Sequence, residues 1–343
     1  MNRPYHMSSD KQKITAVPTN IITGFLGVGK TSAILHLLKN KPANEHWAVL
    51  VNEFGEIGVD GSFLQGKHTE KTGVFIQEVP GGCMCCAAGV PMRVALNQLL
   101  KQARPDRLLI EPTGLGHPVE VLKVLSDDYY HDVLSIQNIV TLVDARQLSD
   151  PRYTDHETFN QQIAIADIIV GNKQDLYQQT DHVKLDEYIK AHGKNQVNIL
   201  VTEQGAIDAA FLEGATTAIA PHSHQHDHDH DLKSKETIDL DNIPIPERGY
   251  VQAINRGEGF ESIGWRFSTN KVFNREKLFA VLISFNAERV KGVFITDNGI
   301  VGYNIAGDSI TEIELDDCQE SRVEIIALQL SDEWGRQLME CIL

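Results

Sequence analysis

The 343-residue chain has no long apolar run: no stretch of about 18 consecutive apolar residues occurs, so no membrane-spanning helix is expected. Residues 1–15 are polar and mixed in charge, without the apolar segment of a secretory leader. Basic charge is scarce. Thirty-one Lys and Arg face 47 Asp and Glu, a formal net charge of -16, which excludes the broad basic face that releases counterions from nucleic acid. It leaves room for a small polyanion in one local pocket. Cysteine is scarce too, with five in the chain. That is too few for a disulfide scaffold, and three of them, Cys83, Cys85 and Cys86, fall within four residues. In a reducing, cytoplasmic setting such a cluster reads as metal-binding or redox-active.

What is present alternates. From Thr19 to about Ala220 short apolar runs at Ile21–Ile22, Trp47–Val51, Val74–Val79, Leu108–Ile110, Ile139–Val143, Ile168–Val170 and Val197–Val201 are separated by helical patterns at Ser32–Asn40, Met92–Gln102 and Lys184–Ala191. This is the βαβ pattern of an α/β fold with a doubly wound, mostly parallel sheet. Residues 16–220 form this first domain. Residues 221–245 open with His222, His224, His226, His228 and His230 at alternate positions, too polar to bury, and read as a solvated linker. Residues 246–343 read as a smaller α+β domain. Strands are expected near Tyr250–Ile254, Ser262–Phe267, Val290–Ile295, Gly299–Asn304 and Arg322–Leu328, with helices at Arg275–Phe285 and from Asp332.

Gly24-Phe-Leu-Gly27-Val28-Gly29-Lys30-Thr31, followed by Ser32, fits the phosphate-loop pattern G-x-x-x-x-G-K-[ST] between a strand and a helix. Glycines let backbone N–H groups curl around phosphate oxygens, and the helix N-terminus adds partial positive charge. Lys30 reaches the β- and γ-phosphates and the Thr31 hydroxyl can ligate Mg²⁺. Glu111, in Leu108-Leu-Ile-Glu-Pro-Thr-Gly114, supplies the acidic residue at a later strand end that holds Mg²⁺ directly or through water. The Gly114 N–H stands to sense the γ-phosphate. The catalytic set expected is Lys30, Thr31 and Glu111.

Asn172-Lys173-Gln-Asp175 ends another apolar strand and matches N-K-x-D. The Asp175 carboxylate is acceptor-only and suits the N1–H and exocyclic amine of guanine; adenine offers an acceptor at N1 and no amine at that edge. Asn172 is expected to hold the base edge and the loop, and the Lys173 stem to cover the base plane. The nucleotide is therefore GTP, with GDP as its product. No residue identifies itself as an arginine finger, so slow intrinsic hydrolysis is expected.

Gly81-Gly-Cys-Met-Cys-Cys86 follows the strand at Val74–Val79. Loops after parallel strands gather at one sheet edge, so this loop belongs on the nucleotide side. Thiolates are soft ligands suited to Zn²⁺ or Cu(I), and three so close together do not by themselves close a tetrahedral structural site. Glu56, His117, water or a partner's side chain could complete the shell. Vicinal thiols also support a redox role, and buried, incidental thiols are a third reading. The histidine segment offers weak, exchanging metal sites, or only solvates a linker. Cys318 and Cys341 read as structural.

Together Gly24–Thr31, Asn52-Glu-Phe-Gly-Glu56, Gly82–Cys86, Glu111–Gly114 and Asn172–Asp175 resemble the CobW-type GTPases, a metallochaperone branch of the P-loop proteins. Gly264-Trp-Arg-Phe267 and Arg289-Val-Lys-Gly-Val-Phe294 extend the resemblance over nearly the whole chain. It implies GTP-dependent delivery of zinc to a client metalloprotein, a switch-like Asn52–Glu56 segment and Glu56 as a metal ligand. Val51 departs from relatives that carry an acidic residue there, and Thr202-Glu-Gln-Gly205 departs from the usual guanine-supporting turn. Two other functions remain: a zinc-sensing regulatory GTP-binding protein, and an insertase accessory for a cobalt or nickel enzyme. Self-association through a shared metal is a further expectation.

Overall fold

A computed structural model describes residues 13–52, 73–79, 90–218, 244–257, 259–307, 309–315, 317–318 and 320–343. Among these, eight strands form one sheet: β1 (Val17–Gly24), β2 (Trp47–Asn52), β3 (Val74–Val79), β4 (Arg107–Glu111), β5 (Leu134–Ile136), β6 (Val140–Val143), β7 (Ile168–Gly171) and β8 (Asn198–Val201). Their order is β3-β2-β4-β1-β6-β7-β8, with β5 also on β1. All pairings are parallel, as the alternation of strands and helices predicts.

Adjacent residues of one strand feed opposite layers. Ile22, Val49 and Leu109 pack under α1 (Lys30–Asn40) and two later helices, α5 (Glu157–Ala164) and α6 (Gln179–His192). Ile21, Ala48, Leu50 and Leu108 pack under α2 (Val90–Ala103) and α3 (Pro118–Leu125). A strand buried on both faces has no polar side to spare, which is why these runs read as continuous apolar stretches.

The second unit is a six-stranded antiparallel sheet in the order β13-β12-β11-β14-β10-β9. Its strands are β9 (Tyr250–Gly257), β10 (Phe260–Phe267), β11 (Arg289–Thr296), β12 (Gly299–Ala306), β13 (Ser309–Leu315) and β14 (Ser321–Ala327). One face packs on α7 (Arg275–Ser284) and α8 (Glu333–Met339) through Trp265, Phe294, Leu278 and Trp334. The other lies against the first unit, where Phe260 and Ile326 join the core of α1 and Phe25. Phe25 and Phe260 approach to 6.3 Å between ring centroids, and Arg152 pairs with Glu288 at 2.5 Å.

Sequence reading missed several elements. Strand β5 is three residues long, α3 begins at Pro118, and a short helix α4 (Pro151–Thr154) precedes α5. Strand β13 reads Ser-Ile-Thr-Glu-Ile-Glu-Leu; it is an edge strand, and the adjacent Thr311 and Glu312 break the period-2 alternation that would mark it. The expected linker falls largely on residues 219–243, outside the described residues.

One half-buried carboxylate ties the far edge of the first sheet together. Asp167 accepts from the Ile139 N–H at 3.0 Å, from Lys194 Nζ at 2.8 Å and from the hydroxyls of Thr216 and Thr217 at 2.6 Å each. Burial pushes its pKa up, and these hydrogen bonds outweigh that and hold it below the usual carboxylate value. A depressed folded pKa contributes stability that is present above the unfolded value and is lost as pH falls through the folded one. Asp167→Ala should cost roughly 1–2 kcal/mol at neutral pH by taking the acceptor from these part-buried donors. Urea unfolding at a series of pH values should show that difference constant between about pH 5 and 7 and shrinking below about pH 4.

Candidate functional site

Parallel pairing puts the C-terminal ends of the first sheet's strands on one edge. Gly24 of β1 is level with Leu142 of β6, Val51 of β2 with Glu111 of β4, and Val143 of β6 with Gly171 of β7. The loop after β1, the side chain ending β4 and the loop after β7 therefore meet outside that edge, the usual ligand crevice of open α/β sheets.

The loop between β1 and α1 turns on glycines with φ of +141° at Gly24, +68° at Gly27 and +100° at Gly29. At Gly29 both conformation and space demand glycine: a Cβ there would collide with the Asn172 amide nitrogen. Val28 is buried between them. Lys30 opens α1 and folds back so that Nζ donates to the carbonyls of Gly24 at 2.8 Å and Phe25 at 3.1 Å. Burial lowers its pKa to about 7, against the pull of Glu111. Burial correspondingly raises the pKa of Glu111, against the pull of Lys30 and Arg289. An anion entering the loop would favour the charged form of Lys30.

The Thr31 hydroxyl donates to Glu111 Oε1 at 3.1 Å. The other oxygen, Oε2, is buried without a hydrogen-bond partner among the described residues. Two hard oxygen donors side by side, one carboxylate oxygen still unsatisfied, match what Mg²⁺ takes. Gly114 lies against the phosphate loop, where a Cβ would come within 2.8 Å of the Leu26 side chain. Ser32 borders the cavity described below.

Asn172 is buried at the cavity lining and holds two loops with its amide. Its Nδ2 donates to the Val28 carbonyl at 2.8 Å, and its Oδ1 accepts from the Gly205 N–H at 3.0 Å. It thus fastens the phosphate loop to the base-reading loop and to the Thr202–Gly205 turn, which sequence comparison left as a departure. That turn packs on α1, since a Cβ at Gly205 would fall 2.5 Å from the Ala33 nitrogen. Lys173 has a left-handed backbone, φ +64°, and its Nζ lies 3.6 Å from Asp144 Oδ2. Asp144, buried at the end of β6, also accepts from Arg146 at 2.7 Å and 3.0 Å. It orients the base-reading loop, and only its position after an apolar run could have marked it. Asp175 is exposed on the cavity wall.

That cavity encloses about 1360 Å³. Gly27, Gly29, Lys173 and Asp175 line one side; Asn304, Ala306 and Thr311 of the second sheet line the other. The contact is close, because a Cβ at Gly27 would fall 2.5 Å from the Ala306 methyl. Two cations from β11 reach the same site. Lys291, 1% exposed, donates to Thr31 Oγ1 at 3.3 Å, and the Arg289 guanidinium acts electrostatically on both Lys30 and Glu111. Sequence reading found no arginine finger and missed both.

A family model described as CobW/HypB/UreG, nucleotide-binding domain, matches residues 18–199, which span the phosphate loop, Glu111 and Asn172–Asp175. The chain belongs to this family. As a CobW/HypB/UreG member with a phosphate loop and an N-K-x-D element, it is a P-loop GTPase. Similarity to the Escherichia coli (strain K12) protein named zinc chaperone YeiR is 40% identity, covering 92% of this chain and 94% of that one. Similarity to the zinc chaperone CobW of Sinorhizobium sp is 29% identity, over 58% of this chain and 62% of the other. The crystal structure of Zn(II)-bound YjiA GTPase from E. coli aligns with a TM-score of 0.42 and 18% identity over 95% of this chain and 99% of that chain.

Cys83, Cys85, Cys86 and Glu56 lie outside the described residues, as does the histidine segment. The other named candidate for that shell, His117, caps α3 with Nδ1 3.0 Å from Gln161 Oε1. Cys341 is buried, Cys318 half-buried. Among the described residues no helix is long and apolar enough to cross a membrane.

Gly29→Ala tests the clamp. The strained conformation and the lost Asn172–Val28 bond together cost about 2–3 kcal/mol. Titration with a fluorescent GTP analogue should show affinity at least tenfold weaker, with the thermal midpoint of the protein alone lowered as well. Affinity within twofold of the parent would contradict the clamp.

Proposed function

We propose that this chain is a zinc metallochaperone of the cytoplasm that couples GTP hydrolysis to transfer of zinc to a client metalloprotein. The observation that carries the reading is topological. Strand β3 runs parallel to β2 with Val79 level with Asn52, so the chain leaves β3 toward Cys83–Cys86 from the edge that also carries the phosphate loop. It leaves β2 toward Glu56 from the same edge. A metal-binding loop and a γ-phosphate sensor starting from one edge can influence each other over a short path. The name of the E. coli relative, zinc chaperone YeiR, agrees with the thiolate chemistry.

In this reading residues 16–220 are the GTPase domain, 221–245 the histidine-rich linker and 246–343 the C-terminal domain. Lys30 and the loop N–H groups hold the phosphates, Gly114 senses the γ-phosphate, and Asp175 reads guanine. Thr31 and Glu111 hold Mg²⁺, which supplies charge neutralisation at the β- and γ-oxygens when bound. Asn172 keeps the loops in register. Cys83, Cys85 and Cys86, with Glu56, hold the zinc cargo, and a shared zinc offers a route to self-association. Hydrolysis is slow until a partner, the metal or self-association supplies what the isolated site lacks.

Zinc transfer proceeds by ligand exchange inside a complex with the client. Structural zinc sites hold the ion by roughly 10–16 kcal/mol, whereas coupling between two sites is typically about 1–3 kcal/mol. Nucleotide turnover can loosen a thiolate loop but cannot expel the ion into water. An incoming thiolate or imidazole supplies the difference.

Two experiments test the proposal. Asp175→Asn exchanges an acceptor for a donor and should weaken GTP binding by about 100-fold or more while improving binding of xanthosine triphosphate, whose C2 carries a carbonyl. Unchanged GTP preference would remove Asp175 from base reading. In a chelator competition, replacing Cys83, Cys85 and Cys86 with Ser should abolish the tight zinc site, and deleting residues 222–230 should remove only weaker binding. In the parent, a non-hydrolysable GTP analogue and GDP should give zinc affinities differing by about 5- to 150-fold. Loss of the tight site on the deletion alone, or equal affinities with both nucleotides, would refute the coupling.

A further inference from the structure

Strand β11 presents two unlike faces. Val290 and Phe294 enter the apolar core under α7 and α8. Lys291, between them in sequence, points the other way, through the interface, to the Thr31 hydroxyl. In the ladder Lys291 is level with Asn304 on β12 and Glu324 on β14, both on the same sheet face. Lys291 and Glu324 are almost completely buried, at 1% and 3% exposure. A lysine is buried this deeply only where its ammonium meets oxygen ligands.

The ligand it meets is one that the function needs elsewhere. Thr31 Oγ1 donates its hydrogen to Glu111 and accepts from Lys291, so a single hydroxyl links the phosphate-loop helix, the end of β4 and the second sheet. We propose that Lys291 is a resident cation of the magnesium seat: its ammonium and Mg²⁺ compete for Thr31 and Glu111, so that binding of Mg²⁺ with GTP displaces Lys291. Lys291 is then a positioning residue that sets how much Mg²⁺ the GTPase requires and tells the second sheet whether the seat is filled. This rests on the reading of Thr31 and Glu111 as the Mg²⁺ ligands.

The physical ground is that two cations on one oxygen repel strongly where water is excluded. Lys30, Lys291 and Arg289 already surround Glu111 and Thr31. GTP brings negative charge of its own, so the conflict is local to Thr31 Oγ1, where an ammonium and a divalent ion would crowd one oxygen. Lys30 is tied to the loop carbonyls. Lys291 is the one whose ammonium already occupies the oxygen that Mg²⁺ would take, Thr31 Oγ1 at 3.3 Å.

The test is the Mg²⁺ dependence of binding of a fluorescent, non-hydrolysable GTP analogue to the full chain. Lys291→Met should lower the Mg²⁺ concentration for half-maximal effect by about tenfold. Lys291→Arg, which keeps the charge, should stay within about threefold of the parent. Lys291→Gln, which keeps a polar group opposite Glu324, carries the expectation of the Met variant and covers a failure of that variant to fold. Hydrogen exchange gives a second readout: Mg²⁺ with the analogue should speed exchange of the β11 amides, Arg289–Thr296, relative to the analogue with EDTA in the parent, and should leave them unchanged in Lys291→Gln. An unchanged or raised Mg²⁺ requirement in both neutral variants overturns the proposal and makes Lys291 a phosphate ligand or a structural group. Thr31→Ala separates the two levels. If it leaves the Mg²⁺ dependence intact, the magnesium reading itself fails; if it abolishes that dependence while the Lys291 variants behave as the parent, only the present inference fails.

Discussion

A lysine ammonium withdrawn from water needs oxygen around it, and the placing of Lys30 is the constraint from which the rest of this structure follows. Its oxygens are the Gly24 and Phe25 carbonyls, with Glu111 acting on it from the neighbouring strand end. The carbonyls face inward because the loop takes backbone conformations open to glycine. Glu111 is on hand because β4 pairs in parallel with β1, Ile110 level with Ile21, and so ends at the same edge. Remove either condition and a buried charge is stranded, at a cost of several kcal/mol. The cluster in turn carries a positive excess that an entering phosphate can satisfy.

Rigid connections carry that demand outward. Asn172 spends both halves of its amide on backbone, one on the phosphate loop and one on the Gly205 turn. The base-reading loop therefore cannot drift from the phosphate loop, and the distance between phosphate and base contacts is fixed by hydrogen bonds before a nucleotide arrives. Asp144 does the same from below for Lys173. A preorganised site of this kind loses little conformational freedom on binding.

Much of this was legible in the sequence, for reasons that can be named. Strands buried on both faces, such as Leu108–Ile110 and Ile168–Val170, announce themselves by unbroken apolar runs, and the glycines of the phosphate loop by a spacing that few other structures need. Strand β13 was not legible, since Thr311-Glu312 breaks the apolar–polar alternation between Ile310 and Ile313 on a short sheet edge. Asp144 carried no motif. Asn172 was expected to hold the base edge and the loop, and its loop contacts are there, but a tetrapeptide does not reveal which loops: Val28 and Gly205 lie far away in sequence and meet it only in the fold.

Lys291 and Arg289 were hidden for a deeper reason. Arg289 and Lys291, alternating with Val290 and Gly292, carry the ordinary mark of a strand with one wet face. Here that face is dry, because it lies on the phosphate loop, with Ala306 against Gly27 and Phe260 against Phe25. The alternation that elsewhere means solvent means, in this sheet, a second wall of the nucleotide site. A sheet that puts Lys291 and Glu324 side by side and then buries them gains little from the pair itself, since desolvation consumes most of the attraction. What the burial achieves is to make the fit between the two sheets depend on the charge at Thr31, so that the contents of the phosphate site and the seating of the second domain cannot vary independently.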